Sequence, residues 1–206
     1  MTLRHSLIAA ALALACGSAL AATLRVANQG DSNSMDPHSL NESLQLSFTG
    51  NVYEPLIGRD KKLGLAPALA TKWSATSPTV WRFELRKGVT FHGGEKFTAD
   101  DVVFSFKRAA GEGSDMKGYT SAIKEVRKVD DFTVDIETSS PFPILPDVIS
   151  LVYIMNKSWC ETNKAEKPVD RRKGIENAAS FRTNGTGPFR TKERQPTTRT
   201  VLVRNF

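Results

Sequence analysis

The sequence predicts an α/β chain that is α+β-like in its middle, and three observations carry that expectation. Trp81, Phe83 and Leu85 alternate with Arg82, Glu84 and Arg86, the period of a strand with one covered and one wet face. Shortly after it, Phe97-Thr98-Ala99-Asp100-Asp101-Val102 opens a helix with a complete set of start signals. The chain then ends within a residue or two of another alternating run, Thr200-Val201-Leu202-Val203-Arg204. The composition agrees with a folded core, since 40% of the 206 residues are hydrophobic and 24% are charged.

In chain order, the first segment is not expected to belong to the fold. Arg4 and His5 precede an apolar run, Leu7 to Ala15, that is too short to span a bilayer, and Ala19-Leu20-Ala21 supplies the small residues of a cleavage site. Residues 1–21 therefore read as a secretory signal peptide. Its removal takes away one Arg and leaves 185 residues with a formal charge of +5. Cys16 lacks the upstream spacing of a lipoprotein signal, so cleavage after Ala21 is preferred.

Thr23 to Asn28 alternates and predicts an opening strand, followed by a polar, turn-rich stretch from Gly30 to Pro37. Leu40, Leu44, Phe48 and Val52 recur every four residues, predicting a helix that Pro55 ends. Leu56 to Leu65 reads as a hairpin around a polar tip, and Ala66 to Trp73 leads back into strand. The helix from about Ala99 to Ala110 starts with Thr98 and Asp101 as a capping box and Phe97 and Val102 as a staple. Asp100 and Asp101 suit its positive end, and Lys107 and Arg108 its negative end. As neighbours on a helix, the two aspartates face different ways, so they cap rather than act as paired catalytic carboxylates. Gly111 to Gly118 is expected to be a flexible link. Ile123–Val129 and Phe132–Glu137 read as strands joined at Asp130-Asp131, and one or two helical turns are expected over Ser158–Asn163. Residues 164–184 form a polar loop with a basic cluster at Arg171-Arg172-Lys173, and Gly185 onwards returns to strand.

Charge and chemistry narrow the function. The whole chain carries 28 basic and 22 acidic residues, a net +6, but without a like-charged block, so the clustered footprint of a nucleic-acid binder is absent. After export only Cys160 remains, so no intrachain disulfide can form, and beside Trp159 it reads as a small buried hydrophobe. The two remaining histidines, His38 and His92, are too few for a zinc cage, and no Ser or Cys stands in a nucleophile motif. Neither cofactor nor metal is expected.

Trp81 to Phe106, WRFELRKGVTFHGGEKFTADDVVFSF, resembles the signature of the family 5 bacterial extracellular solute-binding proteins. Three further segments agree in order: Ser34-Met35-Asp36-Pro37-His38, Leu65-Ala66-Pro67-Ala68-Leu69-Ala70 before Trp73, and Asn184-Gly185-Thr186-Gly187-Pro188-Phe189. Gly93 stands where such proteins usually carry Asp, the turn at Ser74 to Thr79 is shorter than usual, and members are more than twice as long. The resemblance implies a periplasmic binding protein type II-like fold: a first lobe begun by residues 22–52, an inserted α+β subdomain over 53–182, and return strands of the first lobe at 183–206. The second lobe is expected to be missing, as in an N-terminal fragment.

The function implied is that of the non-enzymatic, periplasmic substrate-binding component of an ABC importer, which holds di- or oligopeptides in extended form by backbone hydrogen bonds between two closing lobes. Its partners would be the solute and the inner-membrane permease subunits, with the chain itself a monomer and no nucleic acid involved. Carried over by position, the ligand-binding residues are Asn41, Glu42 and Ser43 after the Asp-Pro-His motif, with Tyr119 at the cleft edge of the subdomain. The residues leave open whether the solute is a dipeptide, a longer peptide, a nickel complex, haem or a sugar. An exported hydrolase and a stand-alone docking module are the competing readings.

Overall fold

The computed structural model describes residues 23–205, so the signal peptide expected over residues 1–21 lies outside the described residues. Helix α1 (Ser43–Thr49) comes first, then the hairpin β1 (Ile57–Arg59) and β2 (Leu65–Pro67). Strands β3 (Ala70–Ser77) and β4 (Val80–Leu85) lead to helices α2 (Ala99–Ala109) and α3 (Lys117–Thr120), and β5 (Ile123–Asp130) and β6 (Thr133–Thr138) follow. Helices α4 (Leu145–Val148) and α5 (Lys157–Thr162) precede the terminal hairpin β7 (Phe189–Gln195) and β8 (Arg199–Arg204).

The central sheet is antiparallel in the order β3-β4-β6-β5. Trp81 pairs with Ile136 and Phe83 with Val134, so the apolar members of β4 and β6 share one face, with Phe83, Val134 and Ile136 fully buried. Helix α2 covers that face with Val102, Phe106 and Ala109, and Leu56, Leu145 and Ile154 close the core. The opposite face is wet and charged, with Asp135 held between Arg82 and Arg127. The start of α2 is as the sequence predicts: Asp101 Oδ2 accepts the Thr98 N–H at 2.9 Å.

A second core forms where the N-terminal segment meets the later loops, from Met35, Val52, Tyr53, Met155, Cys160 and Ala179. The Asn184–Phe189 motif fastens this junction. Gly187 N–H donates to the Val52 carbonyl at 2.9 Å, Phe189 N–H to that of Asn51 at 3.1 Å, and His92 N–H to that of Gly185 at 2.9 Å. A Cβ on Gly185 would run into the Val52 carbonyl, and one on Gly187 would sit 2.7 Å from it, so both positions need glycine for this close approach.

Five expectations are corrected. Thr23–Asn28 is exposed and forms no strand, because no described strand lies beside it to pair with. The helix expected to run to Pro55 ends at Thr49 with Gly50 as its cap, and Pro55 instead makes an isolated bridge with Tyr153. Its buried positions are Gln45 and Thr49 rather than the Leu44–Phe48 row, since Gln45 bonds into the preceding loop. The Gly111–Gly118 link is not loose: Ser114 and Met116 are buried and α3 begins within it. The polar stretch from 164 is likewise tied in, with Ala165, Val169 and Ala179 buried. Its Arg172 and Lys173 are ion-paired to Asp115 and Glu112.

Candidate ligand-binding site

The loop that precedes α1 is polar in sequence and sealed in structure. Ser34, Asp36 and His38 have no exposed surface, which demands that every polar atom find a partner. Gln45 meets part of that demand: its Oε1 accepts the Ser34 N–H at 3.2 Å, and its Nε2 donates to Asp36 O at 3.0 Å and Ser39 Oγ at 2.8 Å.

Arg108 meets most of the rest. The sequence places it as a cation at the end of α2, whereas the structure buries it completely against Asp36. Its Nη1 donates to Asp36 Oδ1 at 2.7 Å and to His38 Nδ1 at 3.1 Å, and its Nη2 to Asp36 Oδ2 at 2.6 Å and Lys167 O at 3.0 Å. Nε donates to Ala165 O at 3.0 Å, so all five guanidinium donors are engaged. Asp36 further accepts the His38 N–H at 3.0 Å and the Val169 N–H at 2.9 Å. Burial alone would raise the Asp36 pKa, but the guanidinium and these hydrogen bonds outweigh it and hold the carboxyl below its usual range.

His38 is neutral in this setting. Burial, then the neighbouring Arg108, lowers its pKa to about 4, against the pull of Asp36. With Nδ1 accepting from Arg108, Nε2 carries the proton and donates to Tyr153 O at 2.9 Å. His92 is also spent on structure, its Nε2 lying 3.0 Å from Gly187 O. Neither imidazole meets a Ser or Cys side chain among the described residues, so no nucleophile is activated there. Cys160 is buried and its pKa is pushed up to about 12 by that burial, which keeps it an inert thiol.

The clamp fixes what comes next. The His38 carbonyl accepts both Ser114 Oγ and the Asp115 N–H at 3.1 Å, which draws the start of α3 against the N-terminal loop. As a result Tyr119, on α3, donates its hydroxyl to Asn41 Oδ1 at 3.3 Å. Asn41, Glu42 and Ser43 are exposed and Tyr119 is half-buried, so these residues form one open rim. Within it Glu42 is the N-cap of α1: its carboxylate accepts the Leu44 N–H at 3.0 Å and the Gln45 N–H at 3.1 Å. Glu42 itself is extended, at φ −137° and ψ 137°. Among the described residues the backbone N–H and C=O groups of Leu40 and Asn41 meet no backbone partner. The rim thus offers main-chain donors and acceptors at Leu40 and Asn41 that no backbone group takes up among the described residues, just before the extended Glu42, whose own carbonyl accepts the Leu46 N–H at 2.9 Å.

The sequence reading missed Arg108 and Gln45 as organisers of this region. A signal was present: Asp101, Ser105 and Arg108 fall at i, i+4 and i+7 on α2, a polar stripe beside the apolar one. Each is buried and bonded to a different part of the second layer, Asp101 to Asn156 and Lys157, Ser105 to Met155, and Arg108 to Asp36.

Comparison with known proteins follows the same lines. A family model described as "Bacterial extracellular solute-binding proteins, family 5 Middle" matches residues 64–206. A glutathione-binding protein of Pectobacterium atrosepticum is 32% identical over 160 residues, covering 76% of this chain and 29% of that protein. The dipeptide-binding protein of Escherichia coli K12 is 29% identical over 213 residues, covering 88% of this chain and 37% of its own length. The chain therefore spans about a third of the length of these relatives. Among solved structures, the periplasmic binding protein DppA of Helicobacter pylori in complex with the peptide STSA superposes with a TM-score of 0.71 at 26% identity, over 85% of this chain and 38% of that one. These matches confirm the periplasmic binding protein fold read from the sequence. The chain belongs to the family 5 bacterial extracellular solute-binding proteins.

Proposed function

We propose that this chain is the peptide-facing part of a periplasmic receptor that captures di- or oligopeptides in extended form and presents them to the permease of an ABC importer. In this reading residues 22–52 and 183–206 belong to the first lobe and 53–182 to an inserted subdomain. The first core supports that division, since all its buried members lie between Leu56 and Ile154, while the second is shared across the boundary, with Met35 and Val52 packed against Met155 and Cys160.

The observation that carries the reading is the backbone of Leu40 and Asn41, without a backbone partner among the described residues, leading into the extended Glu42 beside Tyr119. Main-chain pairing recognises any extended peptide and leaves its side chains to roomy surroundings, so it suits a carrier of varied sequences. The relatives point the same way, one named for glutathione and one for dipeptides. Asn41, Glu42 and Ser43 would contribute chiefly backbone groups, and Tyr119 an aromatic edge.

Calorimetric titration of the exported protein with di-, tri- and tetrapeptides and with backbone N-methylated analogues tests this. Binding is expected for the plain peptides and is expected to fall by about tenfold when the N-methyl group removes a paired N–H. Indifference to N-methylation would overturn the main-chain reading, and binding of a nickel complex or sugar in place of peptides would overturn the solute class.

A further inference from the structure

The tip of the β1–β2 hairpin holds an apolar side chain in water in a backbone conformation that a bulky residue rarely takes. Leu63 is 73% exposed, and outside the exposed segment 23–28 no other large apolar side chain among the described residues is as open. Its φ is 65°, the left-handed region, although Gly64, which would take that conformation freely, stands next to it. The loop is nonetheless well held. Leu63 N–H donates to Asp60 O at 3.0 Å, Asp60 Oδ1 accepts the Lys62 and Gly64 N–H groups at 2.7 and 2.9 Å, and Arg59 Nη1 donates to Leu63 O at 2.8 Å. A fold that fastens a loop this firmly around a strained, exposed leucine points that side chain at something.

The charges around it say what. Both nearby carboxylates are engaged, Asp60 by the loop amides and Asp147 by Arg59 at 3.2 Å. Lys61 and Lys62 are exposed and make no ion pair among the described residues. Ile144, three residues before the Asp147 that pairs with Arg59, is 55% exposed. The tip therefore presents an open leucine directly after two cations that make no ion pair among the described residues. It matches a deformable interface in which the leucine sits at headgroup level and the lysines reach the phosphates.

We propose that the Arg59–Leu63 tip is a contact for an anionic phospholipid surface, with Leu63 as the inserted side chain and Lys61 and Lys62 as the phosphate-facing cations. With only two free cations and a small apolar group the contact is weak and reversible, suited to keeping a receptor near a membrane rather than anchoring it. The inference does not depend on which solute is carried, so a protein that fails to bind peptides would still show it.

Vesicle flotation of the exported protein tests it, using phosphatidylcholine alone and phosphatidylcholine mixed with phosphatidylglycerol. Several-fold more protein is expected on the anionic vesicles, with the difference shrinking as salt is raised. The double variant Lys61→Glu, Lys62→Glu is expected to return binding to the neutral-vesicle level. Leu63→Gly keeps every charge and relieves the left-handed strain, so its expected several-fold loss cannot come from unfolding; circular dichroism confirms the fold. Equal binding to the two vesicle types, or unchanged binding in both variants, overturns the proposal. No binding to either vesicle also overturns it.

Discussion

Asp36–His38 and Asn41–Ser43 lie almost side by side in the chain and behave in opposite ways. The first stretch is fully buried, and its charged and imidazole groups are all engaged with Arg108, Val169 and Tyr153. The second is exposed, and the backbone around Asn41 is left without a backbone partner. The difference separates two kinds of residue that a sequence motif runs together. Asp-Pro-His resembles the family because a sealed clamp is demanding about side chains, whereas an edge that recognises peptide main chain by its own main chain demands little of them.

The largest expected effect comes from breaking the clamp on one side. Arg108→Met leaves Asp36 buried without its counter-charge and is expected to cost about 3–5 kcal/mol in urea denaturation. The double variant Asp36→Leu, Arg108→Met removes the stranded charge and is expected to recover much of that loss. If the single variant were as stable as the wild type, the clamp would not be what holds the rim in place.

The same clamp makes stability depend on pH with a definite sign. The folded pKa of His38 is about 4 against an ordinary value of 6.5, so between these limits the unfolded chain binds more protons. Stability therefore rises with pH across this window and is lost on acidification, by about 3 kcal/mol if the whole shift is expressed. Asp36, whose pKa is also lowered, adds to the loss below the ordinary carboxylate range. His38→Gln, which retains a donor toward the Tyr153 carbonyl, is expected to flatten the profile between pH 4 and 6.5, as read from denaturation midpoints at stepped pH.

Gly187→Ala probes the second fastening and is expected to cost about 1–3 kcal/mol, because the new Cβ would lie 2.7 Å from the Val52 carbonyl. Thermal unfolding followed by circular dichroism reads it. A neutral result would show that the Asn184–Phe189 segment can shift away from Val52 without loss.

How far the sequence could be read follows the same division. The β1–β2 hairpin, β4, β5, β6 and α2 were legible because alternation, turn residues and the Thr98–Asp101 cap act within a few residues of each other. Thr23–Asn28 has the alternation of a strand and is none, since pairing depends on a distant neighbour that local pattern does not report. The buried face of α1 was misread because Gln45 is buried for its hydrogen bonds, which an apolar count passes over. Arg108 was hidden by its place at a helix end, where a solvated cation is the ordinary expectation. For the rim the residues carried no signal of their own, since backbone groups have no letter in the sequence; Asn41, Glu42, Ser43 and Tyr119 were reached through family resemblance.

The smallest expected effects fall on that rim, and they separate side chain from main chain. Asn41→Ala and Tyr119→Phe each remove the 3.3 Å hydrogen bond between the two residues, at an exposed position, and are expected to change stability by about 0.5 kcal/mol or less. If the rim reads peptides through its backbone, both variants keep peptide binding within a few-fold of wild type. Asn41→Pro deletes the free N–H while leaving the clamp at Asp36 and Arg108 untouched, and is expected to weaken binding by about 2–10-fold, the worth of one hydrogen bond. The reverse order, with alanine harmful and proline tolerated, would make Asn41 a side-chain ligand and the rim as selective about its residues as the clamp beside it.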